Sequence, residues 1–448
     1  ELSDEHEGII ELDPSFGERV GERYIDAVGL NDPVIEIKLT PNRPDCTGVR
    51  GIARDLAAAG LGKLKPEPKI GSVEGTFPCP IEIRLEFTPE SESACPVFAG
   101  RLVKDVRNGP SPAWMQNRLK AAGLRPISAL VDVTNYVSVD RGRPLHVYDA
   151  DKLQGAIRAR LGRPGERFLA LEGHEYEVDE TMCVIADDSG ALGLGGIIGG
   201  ESTACTEATT NVFIESAYFD PVRTAATGRK AGIQTDARYR FERGVDPAYV
   251  IPGLDFATDL ILKLAGGKPS KRRVAGEPPK GRITMGFDFG RIVRLTGLSV
   301  KDAEARKVLT ALGFEVDGKG PEVQVTTPSW RPDIHGPVDL VEEVVRIIGL
   351  DKVPSTPIPR TYGVTRSVLT EGQRRARRAR RVHSGRGFVE AMTWSFIPRS
   401  HAQLFGGGDK SLELANPISV EMSSMRPSLL PGLLSAVQRN RNRGFASL

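Results

Sequence analysis

The sequence predicts an α+β protein of several domains, and three observations carry that reading. Its 448 residues exceed what one hydrophobic core organises. Strand-like and helical apolar patterns are mixed along it rather than strictly alternating, and two proline-punctuated segments interrupt it. Residues 1–68 form the first expected unit, a partial domain and linker, with Ile52, Leu56 and Ala59 at helical spacing before Gly60. Residues 77–276 are the largest unit, where 81–85 and 97–103 read as strands among helical stretches. A small unit spans 280–353. There Ser299, Val300, Lys301 and Asp302 form a capping-box pattern that opens a helix carrying Ala303, Val308 and Leu312, closed by Gly313. A strand pair and a second helix are expected to complete it. After the linker at 354–359, a third unit covers 361–448.

Composition narrows the function classes. Sixty basic against fifty-eight acidic residues leave a net charge of +2, so any nucleic-acid contact must come from local patches, not bulk charge. No apolar run approaches the ~20 residues of a membrane-spanning helix, and no secretory signal is visible. The five cysteines, Cys46, Cys79, Cys95, Cys183 and Cys205, are scattered and never spaced as a zinc pair, which excludes a disulfide framework and points to a reducing cytoplasm.

Several residues stand out chemically. The loop at 195–202 nearly matches a phosphate-cradling G-x-x-x-x-G-K-S pattern, but Glu201 replaces the lysine and would repel a triphosphate. Glu215 sits in the apolar strand Asn211-Val212-Phe213-Ile214-Glu215, where a carboxylate needs a partner. Alone, it reads as a structurally paired acid. His146, alone, reads as a packed histidine. Residues 338–349 form an amphipathic helix with Leu340, Val341, Val344, Val345 and Ile348 on its buried face and Asp339, Glu342, Glu343 and Arg346 on the other. Six arginines between Arg374 and Arg381 cover every face of a helix. Solvated surface and contact with RNA phosphates both suit them.

The motifs combine into a resemblance. Thr235-Asp236-Ala237 through Gly244-Val245-Asp246-Pro247, with Val131-Asp132-Val133-Thr134-Asn135-Tyr136-Val137, Pro144-Leu145-His146, Pro41-Asn42-Arg43-Pro44-Asp45 and Asp339-Leu340-Val341-Glu342-Glu343, resembles the β-subunit family of bacterial phenylalanyl-tRNA synthetases. The sequence departs from that pattern at Arg238-Tyr239, where the family has Ser-His. The resemblance implies an editing domain over 77–276, a winged-helix-like domain over 280–353 and the start of a class II synthetase-like domain, an antiparallel sheet without its own active site, over 361–448. It implies that Glu215 accepts a hydrogen bond from the hydroxyl of a misacylated tyrosine. His146, Thr134 and Asn135 would hold the terminal adenosine and the ester, with Gly199, Thr235 and Ala237 forming the walls. Asp333, Asp339, Glu342 and Glu343 would bind a Mg²⁺ shared with the α subunit, and Arg374, Arg375 and Arg378 would touch tRNA weakly. The implied assembly is an α2β2 heterotetramer with ATP used at the α subunit. The chain is expected to be a fragment, without the family's oligonucleotide-binding and C-terminal domains. A non-catalytic tRNA-binding scaffold and a freestanding deacylase are the alternative readings.

Overall fold

A computed structural model describes residues 9, 12, 14–29, 31, 33–71, 73–358, 363 and 367–446. Residues 1–8 of the first expected unit and 359–362 around the second expected linker lie outside them. The chain divides into two compact units, Glu1–Ser355 and Thr356–Leu448. Mixed α and β structure with several sheets is observed, as the sequence predicts.

In the first unit, after a 3-10 helix at Pro14–Arg19 and a single helical turn at Tyr24–Ala27, come α1 (Val49–Ala58), β1 (Ile83–Glu86), β2 (Val97–Lys104), α2 (Ala113–Ala121), α3 (Ala129–Arg141), β3 (His146–Asp149) and β4 (Ile157–Leu161). A hairpin of β5 (Glu166–Leu169) and β6 (Glu175–Val178) precedes β7 (Cys183–Asp187), β8 (Gly190–Leu194), β9 (Ile198–Gly199) and β10 (Val212–Tyr218). Then come α4 (Pro221–Ala231), α5 (Asp236–Phe241), α6 (Val250–Ala265), β11 (Lys268–Pro269) and β12 (Arg273–Gly276). One sheet has the order β1-β4-β7-β8-β9, and the other β11-β2-β10-β3 with β12 also on β2.

Strands β2 and β10 are buried along almost their whole length because both their faces are covered. Val212 and Ile214 of β10, with Val97, Ala99 and Val103 of β2, pack on Leu130, Val133 and Val137 of α3 and on Leu254, Ala257 and Ile261 of α6. The alternate residues, Phe213, Ala217, Phe98 and Leu102, face Ile157, Ala159, Cys183 and Ile185 of the other sheet. Three layers result: helices, sheet and sheet.

A smaller core is built by β13 (Thr284–Asp288), α7 (Gly290–Thr296), α8 (Asp302–Ala311), β14 (Glu315–Asp317), β15 (Glu322–Thr326) and α9 (Pro337–Ile348), with strand order β13-β15-β14. It has three strands and three helices, not the expected strand pair and two helices. The expected capping box does not form: α8 starts at Asp302, its N-cap is Lys301, and no side chain caps it. Its buried stripe is Ala305, Val308, Leu309 and Leu312, while Ala303 is exposed. That stripe is the i, i+3, i+4, i+7 set of a helix docked by one face.

The helix expected before Gly60 forms as α1, but the apolar positions Ile52, Leu56 and Ala59 are not buried. Gly51 is the buried residue of α1, and Leu56 is 47% exposed. Charge, not apolar surface, seats it. Arg43 bonds both oxygens of Asp45 at 3.0 Å and reaches Asp55 at 2.9 Å. Arg346 of α9 meets Asp55 at 2.7 Å and Glu343 at 2.6 Å. Arg331 binds Glu343 on one side and Asp333, at 2.7 Å, on the other. The result is an alternating series from Asp45 to Asp333. Glu343, expected on the solvent face, is therefore 2% exposed. Burial would push its carboxyl up, but the bonds from Arg346 and Arg331 outweigh this and hold it at about 2.

In the second unit, α10 (Glu371–Gly385) opens with a capping box of Thr370 and Gln373, and none of its residues is buried. It is followed by β16 (Phe396–Ile397), α11 (Arg399–Leu404), β17 (Ser424–Met425) and α12 (Leu430–Asn442), with β16 and β17 paired antiparallel. Among the described residues no helix is long and apolar enough to cross a membrane.

Removing Arg331 takes the guanidinium from Asp333 and leaves the buried carboxylate of Glu343 with Arg346 alone. Arg331→Met is expected to destabilise the first unit by about 3–5 kcal/mol at pH 7, measured by urea denaturation followed by tryptophan emission. A loss under about 1 kcal/mol would show that Asp333 finds another partner and that Arg346 alone satisfies Glu343.

Candidate functional site

The antiparallel pairing of β10 with β3 sets Glu215 directly opposite His146. Directly opposed residues project to the same face, which here is the face turned toward the second sheet. Tyr148, two residues along β3, shares it. Between the sheets lies a cavity of about 80 Å³ whose lining includes His146, Tyr148, Gly199, Glu215, Phe219 and Ala237. No lysine or arginine lines it.

The glycine loop closes one wall. It is the turn from β8 to β9, with no helix at its end, so the loop lacks the helix N-terminus that phosphate cradles use. Gly196 has φ +74°, and a Cβ there would press on Phe219 and Phe241 at 2.8 and 3.1 Å. At Gly199 a Cβ would lie 2.4 Å from Cε1 of His146, so only backbone fits against the imidazole. Phe219 and Phe241 support the loop edge to face, with ring centroids 5.2 Å apart.

Electrostatics follow from burial. Glu215 is pushed up to about 7 by burial, against a hydrogen bond from Tyr148 that pulls the other way. The Tyr148 hydroxyl donates to Oε2 of Glu215 at 2.5 Å, the length of an O–H donor on a carboxylate. His146 is lowered to about 4 by burial, so its imidazole is neutral at pH 7. Its Nε2 has no hydrogen-bond partner among the described residues. A neutral imidazole with an unpaired nitrogen is a ready acceptor or donor for a bound hydroxyl or water.

Of the residues singled out from sequence, His146, Gly199, Glu215 and Ala237 come together in this cavity. Thr235 stands behind its wall: its Oγ1 donates to the Ile197 carbonyl at 2.7 Å and accepts from Arg238 N at 3.1 Å as the N-cap of α5. Thr134 and Asn135, on α3, are not among the lining residues, and Thr134 Oγ1 donates to Val131 O at 2.7 Å. At the family's departure point, Tyr239 carries the Arg243 guanidinium 3.7 Å above its ring. Sequence reading missed Tyr148, Phe219 and Phe241. The period of two along β3 was the available signal for Tyr148.

The four acids do not gather. Asp333 and Glu343 are both held by Arg331, and Asp339 Oδ2 accepts from the backbone of His335 and Gly336 at 2.8 and 2.9 Å. The Glu342 side chain is exposed. A guanidinium already between two of the carboxylates opposes a cation there, so the chain's own residues do not fit Mg²⁺ in this arrangement. On α10, Arg374 and Arg375 pair with Glu371, and Arg378 is exposed.

The two buried titrations pull stability in opposite directions. Glu215 rises from 4.5 to about 7, so its share of stability is present at low pH and is lost as pH rises through that window. His146 falls from 6.5 to about 4, so its share is lost as pH drops through that window. Glu215→Gln removes the first effect. Its stability relative to wild type should therefore increase between pH 5 and pH 8, by up to about 3 kcal/mol, in denaturation at each pH. A pH-independent difference would show that Glu215 titrates normally.

Comparison with known proteins accounts for the order of these parts. Residues 94–266, which contain the cavity, match the B3/4 domain; residues 285–350 match the tRNA synthetase B5 domain; and 356–448 match the phenylalanyl tRNA synthetase beta chain CLM domain. Over its whole length the chain is 54% identical to the phenylalanine–tRNA ligase beta subunit of Nitrobacter winogradskyi. It is 52% identical to those of Bradyrhizobium diazoefficiens and Rhodopseudomonas palustris. It spans about half the length of these relatives, 54–55%. With three domains in one order and similarity along every part of it, the chain belongs to the phenylalanine–tRNA ligase beta subunit family.

Proposed function

We propose that the cavity between the two sheets is an editing site that hydrolyses tyrosine wrongly esterified to the phenylalanine tRNA. The observation that carries this is the cross-strand pair of Glu215 and His146 in a cavity walled by glycine backbone. An apolar synthetic pocket discriminates poorly against an added hydroxyl, whereas a site built to bond that hydroxyl rejects the analogue lacking it by ~10⁴ to 10⁵. Tyrosine and phenylalanine differ by that one group. Glu215 accepts from the phenol of a bound tyrosine, and Nε2 of His146 holds the attacking water. An aminoacyl ester is already activated, so positioning supplies much of the acceleration. Thr235 and Ala237 fix the wall, while Thr134 and Asn135 on α3 contact the terminal adenosine.

The same reading assigns amino-acid activation with ATP to an α subunit, in an α2β2 assembly that binds tRNA in part through Arg374, Arg375 and Arg378. In it, 280–353 is winged-helix-like, and 361–448 is the start of a class II synthetase-like domain. Mg²⁺ at Asp333, Asp339, Glu342 and Glu343 would need ligands from the α subunit and release of Arg331. A non-catalytic scaffold is the weaker reading, because it has no use for a carboxyl at about 7 beside a neutral imidazole.

Deacylation by the assembled enzyme tests the proposal. Losing a hydrogen bond to a charged group costs ~1.5–3 kcal/mol. Glu215→Ala should therefore slow tyrosyl-tRNA hydrolysis roughly ten- to a hundredfold and leave phenylalanyl-tRNA hydrolysis nearly unchanged. Equal slowing of both esters would mean that Glu215 supports the fold or the water instead. A second variant probes the wall. Gly199→Ala drives a methyl into the His146 ring and should suppress tyrosyl-tRNA hydrolysis by at least about tenfold with phenylalanine charging intact; parallel loss of charging would indicate misfolding.

A further inference from the structure

We propose that Tyr148 is a positioning residue for Glu215: its phenol occupies one carboxylate oxygen and keeps the group an acceptor, leaving the other oxygen for the hydroxyl of a phenolic amino-acid ester. The identity of the ligand rests on the editing reading; the coupling of Tyr148 to Glu215 does not.

Three observations converge on it. Tyr148 is 2% exposed, on the same strand and face as His146, and its ring stands edge-on to the imidazole with centroids 4.5 Å apart and planes at 82°. Its hydroxyl donates to Glu215 Oε2 at 2.5 Å. Glu215 has no other side-chain or backbone hydrogen bond to its carboxylate among the described residues. The ring is clamped by packing, so the hydroxyl is presented to the carboxylate in one geometry.

The surroundings make this one bond decisive. The titratable groups facing Glu215 are His146 and Tyr148 on β3, Cys95 just before β2, and Cys183 on β7, with Asp187 farther along β7 acting on Tyr148. With His146 neutral, none of these groups is a cation. Burial favours the protonated acid, which donates a hydrogen bond and offers a ligand hydroxyl a poorer acceptor. The Tyr148 bond opposes that shift. Tyr148 itself is held well above its ordinary value by burial and by the Glu215 charge, so it stays a donor throughout the working range.

The test is Tyr148→Phe, which keeps the ring and removes only the hydroxyl. In the chain itself, titration of the Glu215 carboxyl by ¹³C NMR should move its midpoint upward by about one to two pH units. An unchanged or lowered midpoint overturns the proposal. In the assembled α/β enzyme, the acid limb of tyrosyl-tRNA hydrolysis should shift upward by the same interval, while phenylalanyl-tRNA hydrolysis keeps its profile. A uniform fall in both rates with the limb unmoved would assign Tyr148 a purely structural role and also overturn it. If wild-type enzyme hydrolyses neither ester, the editing reading fails, and the NMR titration still decides whether Tyr148 controls Glu215.

Discussion

The register of β10 between β2 and β3 is the constraint on which the site depends. Strand side chains alternate, so a slip of one residue would turn Glu215 into the helix-facing core and bring Ile214 into the cavity. Three features hold the register. Seven residues of β10 pair with β2, Val212 and Ile214 are embedded against α3 and α6, and Arg143 ties the end of the strand. The Arg143 side chain is fully buried and donates to the carbonyls of Ala217 and Asp246. It thereby joins β10 to the segment that leads out of α5, whose start carries Thr235 and Ala237. The site and the signature motifs are one mechanical unit.

Glu343 and Glu215 are buried carboxylates handled in opposite ways, and the contrast separates structure from chemistry. Glu343 has two guanidinium partners and is held at about 2, a permanent charge whose role is to connect α9 to the N-terminal segment. Glu215 has no cationic partner and sits at about 7, where a change of one pH unit alters its protonation appreciably. The first arrangement is stiff and chemically inert. The second is poised to exchange a hydrogen bond with a ligand. Of the acids expected to bind a metal, Glu343 falls in the first class and Asp333 shares its Arg331, whereas Asp339 accepts from backbone and Glu342 is exposed.

How much of this was legible in the sequence depends on how local the cause is. The apolar stripe of α9 could be read because helical spacing alone determines it, and the glycine loop could be excluded as a phosphate cradle from Glu201. Glu343 could not be placed, because its burial depends on Arg331 and, through Arg346, on Asp55 in a distant segment. The pattern at Ser299 suggested a cap that the backbone does not use, since the chain enters α8 three residues later. Strand β10 gave no alternation to read because both its faces are apolar apart from Glu215 and Ser216. Glu215 and His146 were singled out through family motifs, and pairing across strands is what puts them in contact. Tyr148 lay outside those motifs.

The central claim is that a phenol hydroxyl is recognised at the Glu215–His146 pair. The most direct measurement is a titration of the chain with non-hydrolysable 3′-tyrosylamino- and 3′-phenylalanylamino-adenosine, followed by the imidazole resonances of His146. The account predicts that the tyrosyl compound perturbs His146 and binds at least about tenfold more tightly than the phenylalanyl compound. Equal affinity for the two, or binding that leaves His146 unperturbed, would contradict it.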